Sequence, residues 1–377
     1  MPLVVTLALR NLLHDRLRLA ATLVGIVFSI VLVTVQMGLY LGFGRMVTVV
    51  IDRAETDLWV MTKGGTSFEG PTVLDMKDRD AALATEGVER VTQVVTGFAD
   101  WRLPSGALTP VMIVGLDLNN PGLRPWNVVE GRIEQLMVTG AVAVDLAYAD
   151  RLGVSKIGEK AEIRQRAVNV AMLTNGIRSF TTTPYVFMEA DFARIVTGLP
   201  PNKTSYLLLR LKPGADLEAV RAALVAKIPQ AEALTTAQFA ERSRNFWLFG
   251  TGAGAALFAG MLLGVVVGTV IVAQTLYAST KEHINEFATL RAIGSSRSYM
   301  YRVIVCQAAV SAVIGFALAA LIAYGVVWAT EGSALPIVIT PGIVVALFVL
   351  TVLMCIAAGI AAILRVMHVD PATAFTR

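Results

Sequence analysis

Four runs of apolar residues, each long enough to cross a lipid bilayer, decide what this chain can be. A spanning helix needs about 20 predominantly apolar residues, because lipid offers the backbone no hydrogen-bond partners and the segment must satisfy its own. Leu19–Phe43, Phe249–Tyr277, Val303–Ala329 and Ile339–Leu364 meet that length, and no Asp, Glu, Lys or Arg falls inside them. The first is expected to be retained rather than cleaved: its apolar core exceeds that of a signal peptide, and no A-x-A-like site follows it. Charged residues make up 16% of the 377-residue chain, against about 25% in soluble domains.

Lys and Arg in the short flanks set the orientation. Arg10, Arg16 and Arg18 precede the first run; Lys281, Arg291, Arg297 and Arg302 lie between the second and third; Arg365 and Arg377 follow the fourth; residues 330–338 carry none. Both termini and the 278–302 loop are therefore expected in the cytoplasm, and the long stretch from 44 to 247 outside it. The expected fold class is an α-helical membrane protein with four transmembrane helices and a large extracytoplasmic α+β domain between helices 1 and 2. The expected organisation is a cytoplasmic amphipathic helix over 1–18, spans over 19–43, 249–277, 303–329 and 339–364, the outside domain over 44–247, a cytoplasmic loop over 278–302 and a cytoplasmic tail over 365–377.

The net charge of +4 comes with no basic tract, so nucleic-acid binding, which wants a basic face or stripe, is not expected. Both cysteines, Cys306 and Cys355, lie in apolar runs and read as packed hydrophobes. His14, His283 and His368 are far apart and show no metal-ligand spacing. Ionisable groups inside spans mark proton and ion paths; their absence here points to an energy source outside the spans.

The second run carries Gly260, Gly264 and Gly268 every four residues, after Gly250 and Gly254. That spacing puts small residues on one helix face, where another backbone can approach closely. It fits either a helix or dimer interface that can slide or tight packing within the subunit.

Over 44–247, strand patterns are expected at 57–62, 90–103, 110–116, 160–171 and 205–211, and helices at 78–85, 141–152, 216–228 and 236–244, the last running into the second span. The region has no G-x-S-x-G elbow and no histidine to act as a base. Asp145, Asp150 and Glu189 read as solvated surface. Gly153-Val-Ser-Lys-Ile-Gly158-Glu159-Lys160 resembles a phosphate-binding loop, but Glu159 stands where the lysine must be and would repel phosphate. No catalytic, metal or cofactor residue is assigned.

Four stretches resemble the MacB/FtsX-type permease family of ABC transporters. Leu7-Ala8-Leu9-Arg10-Asn11-Leu12-Leu13, followed by Thr22-Leu23-Val24-Gly25-Ile26, is similar to the family's opening amphipathic helix and first span. Lys281-Glu282-His283-Ile284-Asn285-Glu286-Phe287-Ala288-Thr289-Leu290-Arg291-Ala292-Ile293-Gly294 resembles its "R-x-x-E-I-x-x-L-R-A-I-G" segment, with Lys281 for Arg and Phe287 for Ile or Leu. Val369-Asp370-Pro371-Ala372-Thr373-Ala374-Phe375 resembles its closing "D-P-x-x-A-L-R". Gly87-Val88-Glu89-Arg90-Val91 and Leu209-Arg210-Leu211-Lys212-Pro213-Gly214 resemble parts of its MacB-like periplasmic core domain, and Asp57-Leu58-Trp59-Val60 is similar to the DevC-like subgroup.

The resemblance implies a non-catalytic permease subunit of an exporter in the bacterial inner membrane. A separate cytoplasmic ABC ATPase would hold ATP-Mg, with no cofactor in this chain, and would drive a homodimer by mechanotransmission. Lys281, Glu282, Glu286, Leu290, Arg291 and Gly294 would receive that motion. A periplasmic adaptor and an outer-membrane channel would complete a tripartite path, with membrane lipids as surroundings. An FtsX-like signal transmitter that activates a cell-wall hydrolase, and a lipoprotein-release permease, are the alternatives within the family. A membrane sensor with an outside ligand-binding domain is the alternative from another class.

Overall fold

The computed structural model describes residues 16–70, 72–103, 105–120, 122–181, 183–282, 297–330, 337 and 339–367. The chain folds into two units. One holds the apolar helices; the other is formed by Phe43–Ala253.

Four helices of the first unit are long and apolar enough to cross a membrane: α1 (Arg16–Met46), α8 (Ala253–Glu282), α9 (Arg297–Thr330) and α10 (Pro341–Met367). Their spanning windows have mean hydropathies of 2.3, 2.5, 2.3 and 3.0. Ile26 and Ile30 of α1, Val272 of α8, Ala308 and Ala312 of α9, and Met354, Cys355 and Ala358 of α10 form their common core. Small residues dominate that core, as close helix packing in lipid requires. Hydroxyls inside the helices turn back on the backbone: Thr34 donates to the Ile30 carbonyl at 2.6 Å and Thr351 to that of Leu347 at 2.7 Å.

The second unit is built on β1 (Leu58–Thr62), β3 (Val88–Arg102), β4 (Leu108–Leu116), β5 (Val128–Glu130), β6 (Ala141–Asp145), β7 (Lys160–Ile163), β8 (Arg166–Thr174), β9 (Tyr185–Glu189), β11 (Tyr206–Leu211) and β12 (Ala231–Thr235). The order along the sheet is β12-β1-β11-β3-β4-β9-β6-β8-β5, with β7 bridging β3 and β8. The β4–β9 and β6–β8 pairs are parallel and the rest antiparallel. Short strands β2 (Leu74–Asp75) and β10 (Lys203–Thr204) pair separately. Helices α2 (Val49–Asp52), α3 (Met76–Leu83), α4 (Ala149–Leu152), α5 (Ala190–Thr197), α6 (Leu217–Lys227) and α7 (Thr236–Asn245) complete the unit.

Both faces of the sheet are covered. In β1, Trp59 and Met61 enter one core, with Phe68, Tyr206 and Phe239, while Leu58 and Val60 enter another, with Leu207, Val220 and Leu224. In β4, Met112 and Val114 face the first core, and Val111 and Ile113 a third that includes Trp101, Val186 and Phe192. A strand buried on both sides has no reason to alternate apolar and polar residues.

This corrects one expectation. Residues 141–152 do not form a helix: Ala141–Asp145 is a fully buried strand, followed by a 3-10 turn (Leu146–Tyr148) and the single turn α4. The run Ala-Val-Ala-Val is apolar throughout because it lies mid-sheet. Residues 160–171 form two strands rather than one, folded back at Arg164 and Gln165, whose φ values are 46° and 63°. The polar helix α7 also does not continue straight into α8. A π-helical turn, Phe246–Gly250, and Gly252 at φ 76° interrupt it.

Candidate functional site

The glycine stripe of α8 lies against α1. A Cβ at Gly264 would stand 3.0 Å from Cγ2 of Val33 and 3.4 Å from the Leu32 side chain; one at Gly260 would stand 2.8 Å from the Gln36 amide carbon. At Gly268 it would collide with the Ser29 hydroxymethyl group. Ser29 Oγ donates to the Gly264 carbonyl at 3.0 Å, a hydrogen bond that needs the two backbones close together. Gly25 of α1 faces Ile271 in the same seam. The opposite face of α8, with Leu262, Leu263, Val266 and Val270, is exposed.

Of the residues expected to meet a cytoplasmic partner, Lys281 and Glu282 close α8. Glu286, Leu290, Arg291 and Gly294 lie outside the described residues, as do the N-terminal helix up to residue 15, His14, His283, His368 and the tail from 368.

In the α/β unit the acidic residues are not all surface groups. Asp150 is exposed, but Asp145 is 2% exposed at the end of β6. Its carboxylate accepts from the backbone N–H groups of Ala147 (2.9 Å), Gly176 (3.0 Å) and Ile177 (2.7 Å) and from Thr174 Oγ1 (2.8 Å). It thereby fixes the loop that follows β8. Glu189 caps α5, accepting from the N–H groups of Asp191 (2.8 Å) and Phe192 (2.9 Å). Glu159 accepts from the N–H of Ser155 at 2.6 Å and of Lys156 at 3.1 Å. The Ser155 bond first, then the Lys156 bond, holds this carboxyl below its ordinary range. Glu159 thus occupies the very N–H groups a phosphate would need.

A polar network that the sequence pattern does not announce runs through the buried interior beside the domain's chain ends. Glu69, 5% exposed, accepts from Tyr185 Oη at 2.9 Å and from Trp247 Nε1 at 3.3 Å. Its loop is held from beneath by Tyr206, whose hydroxyl lies 2.9 Å from the Ser67 carbonyl and 3.0 Å from that of Gly70. Tyr185 also bonds the Ser179 hydroxyl, and the Ser179 N–H donates to Tyr148 Oη at 3.0 Å. The next residue, Phe180, packs edge-on against Trp247 (centroids 4.5 Å apart) and Phe43 (5.2 Å), with Met46 and Val47 alongside.

Burial pushes the Glu69 carboxyl up from 4.5 to about 7, outweighing its own N–H, Tyr185 and Trp247, which all favour the anion. The folded chain therefore holds this proton more tightly than the unfolded one. The contribution to stability is fully present below about 4.5 and is lost as pH rises through about 7. Burial also raises the phenols of Tyr148, Tyr185 and Tyr206.

Four helices long and apolar enough to cross a membrane, with an α/β domain inserted after the first, define the architecture of a membrane protein with a large inserted domain. The MacB-like periplasmic core domain model matches residues 19–227 and the FtsX-like permease C-terminal model residues 241–371. The chain belongs to the MacB/FtsX-type permease family, the membrane component of ABC transporters, which works with an ABC ATPase. Among solved structures, the periplasmic region of MacB from Actinobacillus actinomycetemcomitans is similar at 8% identity and TM-score 0.37, over 51% of this chain and 94% of that one. The extracellular domain of the noncanonic ABC-type transporter YknZ from Gram-positive bacteria is similar at 13% identity and TM-score 0.36, over 48% and 99%. No curated protein matches the chain.

Proposed function

We propose that this chain is the permease subunit of an exporter that turns ATP hydrolysis by a separate cytoplasmic subunit into movement of the extracytoplasmic domain. The observation that carries this is the pair of family matches, which together take in all four apolar helices and the inserted domain. The spans as expected from sequence carry no charged residue to line an aqueous path, which supports transmission of force rather than passage of substrate through them. The working unit is a homodimer in the bacterial inner membrane with both termini cytoplasmic, and a periplasmic adaptor and outer-membrane channel receive the substrate.

Glu286 and Arg291, by charge and by their place in the family segment, are the contact residues for the ATPase. The purified chain alone should not hydrolyse ATP; with its ATPase partner, hydrolysis should appear. Glu286→Lys puts a like or unpaired charge at that contact and should cut partner binding by about tenfold or more, the scale of a lost interfacial charge pair. Full binding and full coupled transport in the variant would remove Glu286 from the contact, and ATP hydrolysis by the isolated chain would overturn the division of labour.

Orientation is tested separately. With Cys306 and Cys355 replaced by Ala, a cysteine at the exposed Ser105 should react with a membrane-impermeant thiol reagent in intact spheroplasts, and one at Ser295 only after lysis. The opposite pattern would invert the topology.

A further inference from the structure

We propose that Gln36 of α1 pairs with Gln36 of a second copy of this chain and marks the two-fold axis of the homodimer. Hydroxyls in the spans find partners within the chain: Ser29 donates to the Gly264 carbonyl, and Thr34, Thr269 and Thr351 each donate to the carbonyl four residues back. The side-chain amide of Gln36 has no hydrogen-bond partner among the described residues, and it is partly exposed. It lies flat against Gly260 of α8, with Cδ, Nε2 and Oε1 at 2.8, 2.9 and 3.0 Å from where a Cβ would stand. Gln36 comes about two helical turns before Phe43, where the α/β unit begins, and Gly260 about two turns after Ala253, where it ends. At 1.5 Å per residue the amide is about 10 Å inside the apolar segment.

A primary amide carries N–H donors and a carbonyl acceptor, so two of them satisfy each other, each donating to the other's oxygen. Hydrocarbon supplies no substitute, and an amide left unpaired in it is costly. A residue meets its own copy only on a two-fold axis. Two copies that cross the membrane in the same sense bring their amides to one depth with no further adjustment. The α1–α8 seam has one closed side and one open side. By helical spacing, Ile26, Ile30 and Val33 of α1 and Val272 of α8 lie on the closed side, and all four are buried. Val24 and Phe28 of α1 and Leu263 and Val267 of α8 lie on the other, and all four are exposed. Apolar side chains alone would suit lipid; an unpaired amide beside them does not. Of the other amides in the spans, Gln307 is buried and Gln274 is the last residue of its span. The inference rests on the homodimer proposed above and names the face by which it forms.

In membranes of cells making the full-length chain with Cys306 and Cys355 replaced by Ala, Gln36→Cys should be joined to its copy by a short homobifunctional thiol reagent. Leu321→Cys, at an exposed position of α9, should not. Single-molecule photobleaching of the full-length chain in bilayers of rising lipid content gives the dimer fraction. Gln36→Met keeps an unbranched side chain of similar length over Gly260 and removes the amide; it should weaken dimerisation by about tenfold, the scale of an interhelical hydrogen bond. A wild-type chain that stays monomeric overturns the homodimer, and this pairing with it. The pairing alone is overturned if the wild-type chain is dimeric but position 36 does not cross-link, if Leu321→Cys cross-links in its place, or if Gln36→Met dimerises as the wild type does.

Discussion

Asp145→Ala should lower the thermal midpoint of the extracytoplasmic domain by about 10 °C, whereas Asp150→Ala should leave it within a degree or two. The two acids lie five positions apart and look alike in sequence. Asp145 is buried and takes four donors, of which the Ile177 N–H and the Thr174 hydroxyl are themselves buried and have no water to turn to once the carboxylate is gone. Each stranded buried donor costs about 1–3 kcal/mol, so a loss on the order of 4 kcal/mol is expected even after the loop relaxes. For a domain of this size each kcal/mol moves the midpoint by about 2–4 °C. Asp150 is exposed on a single helical turn, where substitutions are worth about 0.5 kcal/mol or less. Differential scanning calorimetry of the three proteins checks this. Equal midpoints for the two variants would mean that the loop after β8 finds its hydrogen bonds elsewhere.

Gly268→Leu should prevent stable assembly of the membrane helices, while Val266→Leu is tolerated. Position 268 offers no space: even a Cβ meets the Ser29 side chain, and Met354 Sδ lies 3.4 Å from it. Overpacking a core costs about 1–3 kcal/mol where side chains can shift. Here the obstacle includes Ser29, whose hydroxyl is committed to the Gly264 carbonyl, so α1 and α8 must separate and give up that bond. Val266 is half exposed, on the face of α8 away from the seam with α1, so a larger side chain there does not press on Ser29. Size-exclusion profiles in detergent and partner-dependent ATP hydrolysis report the outcome. If both leucines are tolerated equally, close approach of α1 and α8 is dispensable.

The apolar helices were legible because lipid imposes one blunt rule, length without charge, and their ends differ from expectation by only a few residues. The domain was legible where a strand kept β-branched residues between recognisable turns, as at 57–62 and 205–211. It was not legible at Ala141–Asp145, since a strand buried on both faces carries no period of two and its alanines read as helix. The hairpin at Arg164-Gln165 escaped notice because two non-glycine residues adopt left-handed conformations with no Asn or Gly to signal the turn. Helix α5 was passed over although Glu189 and Gly198, at φ 76°, mark both its ends. The Glu69 network had no local signal at all. A glutamate in a Thr-Ser-Phe-Glu-Gly loop looks solvated until Tyr185 and Tyr206, more than a hundred residues away, enclose it. Buried acids of this kind are made by tertiary packing, which pattern in a single sequence does not carry.

The aromatic cluster of Phe43, Phe180 and Trp247 also brings together the two points where the chain arrives at the α/β unit and departs from it. A module whose two ends meet is, in genetic terms, a cassette. It can be enlarged, trimmed or exchanged by recombination at that one seam without re-registering a single residue of the helices on either side. Natural variation in such permeases should therefore concentrate in what is mounted on the seam, with the aromatic residues that close it retained as the common fitting.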